Sequence, residues 1–189
     1  LGVRGDGLRL WYSNDNLIEK NQIIDSRDMV AWYSHKNMFR DNLGRRSRYS
    51  IHFMFANDND VVGNEFYDNA VGVYFMYTEG GTVRNNVISH ATGATGMGIG
   101  FKEASGTIIE NNEIIYCGIG IGSDLSPFQP DSTIEIRNNR FAYFQPWWLP
   151  GRLSVALPHQ RWLTNRCARP GKHHHSGACW LQCCYVGTR

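Results

Sequence analysis

Two methionines and one histidine are the side chains of this chain best suited to hold a soft metal. Thioether sulfur and imidazole nitrogen are donors that Cu(I) favours in proteins. Met54 follows His52 by two residues, and Met76 occupies the same place one repeat further along the chain. If neighbouring repeats stack, the three side chains come within reach of one another, so the spacing predicts a transient Cu(I) site. Methionine is also an adaptable contact residue, so a protein-binding surface without metal stays an open interpretation of the same residues.

A repeated asparagine provides the frame that would position this site. Successive members are separated by 21, 22, 22, 26 and 27 residues. An apolar residue stands three positions before each member and another two positions after it, Gly44 being the exception. The members of the repeat are Asn21, Asn42, Asn64, Asn86, Asn112 and Asn139.

Short strands with period-2 alternation and a repeat of about 22 residues are typical of one coil of a β-solenoid. Leucine-rich repeats have similar lengths, but their leucine frame and their helical segments are missing here. Asn tolerates the left-handed region at a corner, and its amide can bond the amides of the coils above and below. The sequence therefore predicts an all-β, right-handed parallel β-helix of about six coils, with the repeated Asn as a structural ladder.

The alternation also predicts which side chains face inward. Positions 13, 11 and 9 residues before each repeated Asn are nearly all apolar, so we assign them to the interior. They are Leu8, Leu10 and Tyr12; Met29, Ala31 and Tyr33; Ile51, Phe53 and Phe55; Val73, Phe75 and Tyr77; Ile99, Phe101 and Glu103. The intervening positions then face outward: Arg9 and Trp11; Val30 and Trp32; His52 and Met54; Tyr74 and Met76; Gly100 and Lys102.

That outward face is rich in aromatic and thioether groups, whereas a solvated sheet normally carries Thr, Lys, Glu or Ser. Such a composition is typical of a binding surface. We expect a partner protein to contact Arg9, Trp11, Trp32, Met54, Tyr74 and Met76. Two alternatives stay open: further N-terminal sequence covers this face, or the inward and outward assignments are reversed.

Composition excludes several classes of protein. The net charge is +2 with no basic run, which gives a nucleic-acid partner little electrostatic support. We find no apolar stretch that approaches the roughly 20 residues a bilayer span requires. The chain starts at Leu1 without an initiator Met or an export signal, so we expect a fragment that lacks its N-terminal coils.

The repeat predicts one β-helix domain over residues 1–148. After it the Asn frame stops, four of the five cysteines appear, and three histidines follow one another at His173. Thiolates beside imidazoles would suit zinc or copper, but the spacing fits no zinc module. We therefore predict that residues 149–189 form an irregular or disordered tail with the composition of a shifted reading frame.

The repeat carries no catalytic arrangement that we recognise. The carboxylates at Asp15, Asp58 and Asp60 lie in Asx-rich turn segments, where Asp and Asn commonly form turns. The carboxylate motifs of pectin-degrading and alginate-epimerising β-helices are missing, as are Gly-rich phosphate loops. We therefore expect a protein that is not an enzyme.

Five runs resemble the NosD family closely, and the resemblance covers residues 5 to about 148. They are GDGLRLWYSNDN (5–16), RDMVAWYS (27–34), SRYSIHFMF (47–55), NAVGVYFMY (69–77) and GATGMGIGFK (93–102). The resemblance implies a periplasmic right-handed β-helix that is the soluble component of an ABC-type complex. It also implies a role in maturing nitrous oxide reductase by supporting assembly of its copper centres.

The implied partners are the ATPase and membrane subunits of the transporter, a copper-chaperone lipoprotein and the reductase. The family has no metal motif that maps residue by residue onto this chain, so His52, Met54 and Met76 rest on the residues alone. Two other functions stay open. In a polysaccharide-binding or polysaccharide-modifying β-helix, Trp11 and Trp32 would stack on sugar rings, whereas a structural spacer would leave the aromatic face unexplained.

Overall fold

The computed structural model describes residues 3–93 and 95–143, and the backbone alone of 165–168. Throughout these residues the regular structure is β-strand, and none of them forms a helix long and apolar enough to cross a membrane. The predicted tail lies outside the described residues except for the short backbone segment 165–168. Its cysteine and histidine cluster is therefore not described either.

The coils stack so that their strands form three parallel β-sheets, and each coil contributes one strand to each sheet. Sheet A contains β1 (Leu8–Trp11), β4 (Asp28–Trp32), β7 (Tyr49–Met54), β10 (Val71–Met76), β13 (Met97–Lys102) and β16 (Ile119–Asp124). Sheet B contains β2 (Leu17–Glu19), β5 (Met38–Arg40), β8 (Asp60–Val62), β11 (Thr82–Arg84), β14 (Ile108–Glu110) and β17 (Thr133–Arg137). Sheet C contains β3 (Gln22–Ile24), β6 (Leu43–Arg45), β9 (Glu65–Tyr67), β12 (Val87–Ser89), β15 (Glu113–Ile115) and β18 (Arg140–Ala142).

Every strand of one coil pairs in parallel with its counterpart in the next coil. Trp11 is in register with Trp32, Phe53 with Phe75, and Val83 with Ile109. One more strand, β19 (Asn165–Ala168), pairs antiparallel with β17 at the edge of sheet B. The prediction of a parallel β-helix with a period near 22 residues is thereby confirmed.

The interior is a continuous column of apolar side chains, because alternate residues of every strand point inward. Phe53, Phe75 and Phe101 stack on one another at the centre, with ring centroids 4.9 and 5.3 Å apart. The residues that lie 13 and 11 positions before the first five repeated Asn are in this core, partly buried in the first coil and buried in the next four.

The third interior assignment was wrong. Tyr12, Tyr33, Phe55, Tyr77 and Glu103 do not face inward, because the strand ends one residue earlier and the chain turns there with φ between 48° and 56°. A residue in the left-handed region leaves the strand alternation, so its side chain points away from the core. Tyr12 is 67% exposed.

The repeated asparagines form a ladder between sheets B and C. In each step the backbone N–H and the Nδ2 group of one Asn donate to Oδ1 of the Asn in the next coil. For Asn64 and Asn86 these bonds measure 2.8 and 3.0 Å. All members from Asn42 onward are buried, and Asn21 at the first coil is exposed. The ladder holds one corner of the coils in register.

A second asparagine ladder runs along the corner between sheets A and B. Asn16 donates to Oδ1 of Asn37, and Asn37 donates to Oδ1 of Asn59, at 2.8 to 3.0 Å. From the sequence we predict only turns in this segment. The spacing of its asparagines matches that of the first ladder, and this regular spacing is the sequence signal for the second ladder.

Candidate metal site and its aromatic surroundings

The predicted outward residues of sheet A form one column along the outer face of the helix. Trp11 pairs with Trp32, Trp32 with Met54, Met54 with Met76, and Met76 with Lys102. We call this column the outer strip. Neighbouring strands lie about 4.8 Å apart, so consecutive members of the strip are adjacent.

A parallel column on the same face holds Arg9, Val30, His52, Tyr74 and Gly100, which are also in register from coil to coil. Apart from Arg9, its members are buried or half-buried although they face outward. Arg9 is exposed and its Nε donates to Asp6 at 2.8 Å, whereas Val30 is only 5% exposed. The outer face therefore carries a cluster of covered side chains rather than a flat solvated sheet.

His52 is the most buried polar member of that cluster, with 9% of its surface exposed. Aromatic rings surround it: the centroid of the imidazole lies 4.8 Å from that of Tyr49 and 5.8 Å from that of Tyr74. Its Nε2 atom is inaccessible to solvent and has no hydrogen-bond partner. A buried nitrogen without a hydrogen-bond partner destabilises the folded protein. A ligand that bonds to this nitrogen would remove that cost, so the position is a candidate binding site.

Burial lowers the pKa of His52 to about 4, and the Asp28 carboxylate opposes that shift while the Arg48 guanidinium adds to it. The imidazole is therefore neutral near pH 7. A neutral imidazole can donate its lone pair to a metal without first losing a proton.

Met54 and Met76 lie in register on neighbouring strands, and His52 lies two residues before Met54 on the same face. The structure thus brings all three predicted donors to one side of adjacent coils. Two thioethers and one imidazole suit Cu(I), whereas harder divalent ions prefer carboxylates. Among the described residues, no three His, Cys, Asp or Glu side chains are grouped as a metal site. The donor set at this position therefore fits Cu(I).

Sequence reasoning missed an aromatic ladder beside the outer strip. Tyr12, Tyr33, Phe55 and Tyr77 stack face to face at the left-handed corner, with centroids 4.8 to 5.1 Å apart and planes within 14° of one another. The signal was an aromatic residue directly after the strip position in four successive coils. At the end of the ladder Lys102 Nζ lies 6.0 Å from the Tyr77 centroid.

The tryptophans of the strip pack against this ladder in different orientations. Trp32 is nearly parallel to Tyr33, at 19°, whereas Trp11 meets Tyr12, Trp32 and Tyr33 edge-on, at angles from 61° to 78°. Trp11 is 51% exposed. The first coils therefore present a large apolar surface that ends in Trp11 and Tyr12.

Two further residues bear on metal binding. His35 is unsuited to it, because its Nδ1 accepts the backbone N–H of Asn57 at 3.0 Å, which places the ring proton on Nε2. Met97 lies on the same outer face two coils after Met54. A Cβ on Gly100 would lie 2.7 Å from its sulfur, so the thioether covers that glycine.

Ion pairs also link neighbouring coils on sheet B and at the corner that follows sheet C. Arg40 binds Glu19, Arg46 binds Asp25 and Arg137 binds Glu110, each across one coil-to-coil step. The Arg46 guanidinium lowers the pKa of Asp25 through a direct hydrogen bond. Because these pairs are exposed, they hold side chains in place more than they stabilise the fold.

Comparison with models of protein families gives a match. The sequence model of a family described as "Periplasmic copper-binding protein (NosD)" matches residues 1–146. A search of curated proteins found no match.

Proposed function

This chain belongs to the NosD family of periplasmic copper-binding proteins, and on that premise we propose that its outer strip handles Cu(I) during maturation of nitrous oxide reductase. In this proposal the protein acts in the periplasm and is not an enzyme. Copper is cargo that the protein holds transiently and passes on.

The observation that carries the proposal is the buried, unpaired Nε2 atom of His52 on the same outer face as Met54 of its own strand and Met76, which is in register with Met54 on the next strand. A buried imidazole with no partner is unfavourable in an empty site and becomes favourable once a metal accepts its lone pair. All three donors are neutral, and thioethers and imidazole are ligand types that suit copper. We propose that these three residues hold Cu(I).

Partner proteins would dock on the same face. We propose that the ATPase and membrane subunits of an ABC-type transporter, a copper-chaperone lipoprotein and nitrous oxide reductase are the partners. The exposed Trp11 and the half-buried methionines of the strip support a protein contact, because aromatic residues and Met are enriched in the buried parts of interfaces. Arg9, Trp32 and Tyr74 would complete that contact surface.

The alternative of a polysaccharide platform has weaker support. Sugars pack on the faces of aromatic rings, but the rings of Tyr33, Phe55 and Tyr77 use their faces to stack on one another. Trp32 also lies nearly parallel to Tyr33. Trp11 lies edge-on to the ladder, so this surface offers a sugar chain little continuous stacking area.

Anaerobic titration of the 189-residue chain with Cu(I), against a competing chelator, tests the copper role. We expect the parent to bind one equivalent and the double variant Met54→Leu, Met76→Leu to lose that binding. Leu preserves the volume of Met and removes only the sulfur donor. Met38→Leu, on the outer side of sheet B, is the matched control and should bind as the parent does. Unchanged binding by the double variant would refute the site.

A further inference from the structure

An irregularity in strand β7 determines what surrounds His52. Asp28 of β4 is opposite Tyr49 of β7, and Val30 of β4 is opposite His52 of β7. One residue separates Asp28 from Val30, whereas two residues separate Tyr49 from His52. The third coil thus contains one extra residue between Tyr49 and His52, as in a β-bulge. Regular alternation would place these two side chains on opposite faces. The bulge brings both to the outer face, where their ring centroids are 4.8 Å apart.

Arg48 also packs against the Tyr49 ring. The guanidinium carbon lies 4.8 Å from the centroid of the Tyr49 ring. Arg48 Nε also donates to Asp28 Oδ1 at 3.0 Å, and a second, shorter bond joins the same two side chains. The Asp28 side chain is 3% exposed, and it also accepts the backbone N–H of Tyr49 at 3.3 Å. Arg48 and His52 therefore both pack against the Tyr49 ring, and Asp28 binds both the Arg48 side chain and the Tyr49 backbone.

The remaining sides of His52 are also occupied. Val30 and Tyr74 flank it in register on the neighbouring strands. Tyr74 has little freedom toward the next coil, since its ring lies so close over Gly100 that a Cβ there would be 2.4 Å from it. Tyr49 differs from these neighbours because it is the first residue of its strand, β7, and its ring also packs against the guanidinium of an ion-paired arginine.

We propose that Tyr49 is a lid over the His52 nitrogen, that the Arg48–Asp28 pair is its latch, and that a soft monovalent metal reaches His52 only after Tyr49 moves. The inference rests on the proposed copper function and adds access control to that site. Arg48 and Tyr49 are positioning residues here. A partner that binds Arg48 through a carboxylate would release the latch.

A chemical probe of imidazole tests the lid without copper. Diethyl pyrocarbonate modifies accessible histidine, and His52 is 9% exposed beneath the Tyr49 ring. Peptide-level mass spectrometry then follows the modification rate of His52 relative to the exposed His90 in the same sample. We expect slow modification in the parent and an increase of tenfold or more in Tyr49→Ala and in Arg48→Gln.

Arg46→Gln is the matched control, because it also removes one Arg–Asp pair, with Asp25, at the corner that follows sheet C, where it has no contact with Tyr49 or His52 among those described. It should leave the His52 rate unchanged. A parent rate equal to that of Tyr49→Ala would overturn the lid. An equal increase in Arg46→Gln would also overturn it, since the effect would then be general loosening.

Cu(I) loading from a chelator, followed by stopped flow, separates this inference from the proposed function. We expect Tyr49→Ala to load at least tenfold faster than the parent, with the same stoichiometry. Faster modification of His52 in a protein that binds no Cu(I) would refute the copper function and leave the lid standing. Equal loading rates in a copper-binding parent and in Tyr49→Ala would refute the lid alone.

Discussion

Replacement of Asn64 by Ala tests how much the buried ladder contributes to stability. Asn64 is fully buried, and its Oδ1 accepts both the backbone N–H and the Nδ2 of Asn42, at 2.9 and 3.0 Å. Its Nδ2 donates to the carbonyls of Phe39 and Val62 and to Asn86 Oδ1, at 2.8, 3.2 and 3.0 Å. Ala can make none of these bonds.

The expected loss follows from the groups left behind. In the Asn64→Ala variant, the buried N–H of Asn42 and the carbonyl of Phe39 each lose their hydrogen bond to the Asn64 side chain. An unsatisfied buried polar group costs about 1 to 3 kcal/mol, so the variant should be less stable by about 2 to 6 kcal/mol. Asn21→Ala is the matched control. Asn21 belongs to the same ladder but is exposed, so water replaces its bonds and the loss should stay below about 1 kcal/mol.

Urea unfolding followed by circular dichroism gives the free energy of unfolding of both variants. If this free energy falls with urea concentration at the same slope in both, the same cooperative unit unfolds. Native-state hydrogen exchange at the Asn42 amide gives a local readout: it should be protected in the parent and exchange much faster in Asn64→Ala. If the two variants lose equal stability, burial of the ladder is not what stabilises the coils, and the reasoning fails.

Three further predictions concern other positions. Phe55 has a φ of 51°, so Phe55→Gly should be more stable than Phe55→Ala by about 1 kcal/mol in urea melts, the reverse of the usual order in strands; equal stabilities would argue against a left-handed corner. His35→Asn should keep the bond to Asn57 N–H and parent stability, whereas His35→Ala should lose about 1 kcal/mol; a difference of a few tenths would show that the bond contributes little. Burial raises the pKa of the Cys117 thiol to about 11, so iodoacetamide at pH 8 should leave Cys117 intact in the folded protein and modify it after unfolding, as peptide mass spectrometry would detect; rapid alkylation of folded protein would contradict its placement in the core.

The architecture was predictable because it depends on patterns that recur in every coil. The Asn frame and the period-2 alternation around it fixed the coil length, the stacking and two of the three interior positions per coil. The third failed at Tyr12, Tyr33, Phe55, Tyr77 and Glu103 because the alternation was extended one residue past the strand end. An aromatic side chain looks the same in sequence whether it enters the core or stacks outside it.

The surroundings of the candidate site were less predictable. His52, Met54 and Met76 lie on one face as their spacing suggested, but Tyr49 could not be identified as a neighbour. The third coil is one residue longer than the second, and that length alone does not say where the extra residue lies. Its position between Tyr49 and His52 is set by pairing with Asp28 and Val30, which is a tertiary property.

The corners have a consequence for how the surface of such a protein can evolve. At the corner that follows sheet C, the left-handed position holds Asp25, Arg46, Asp68, His90, Tyr116 and Tyr143, all with φ between 53° and 59°. A carboxylate, a guanidinium, an imidazole and a phenol thus occupy the same backbone geometry in successive coils. Because these side chains point away from the core, mutation can change one without repacking the core. Each such corner offers an array of sites, about 4.8 Å apart, where natural selection can vary surface chemistry while the scaffold stays the same.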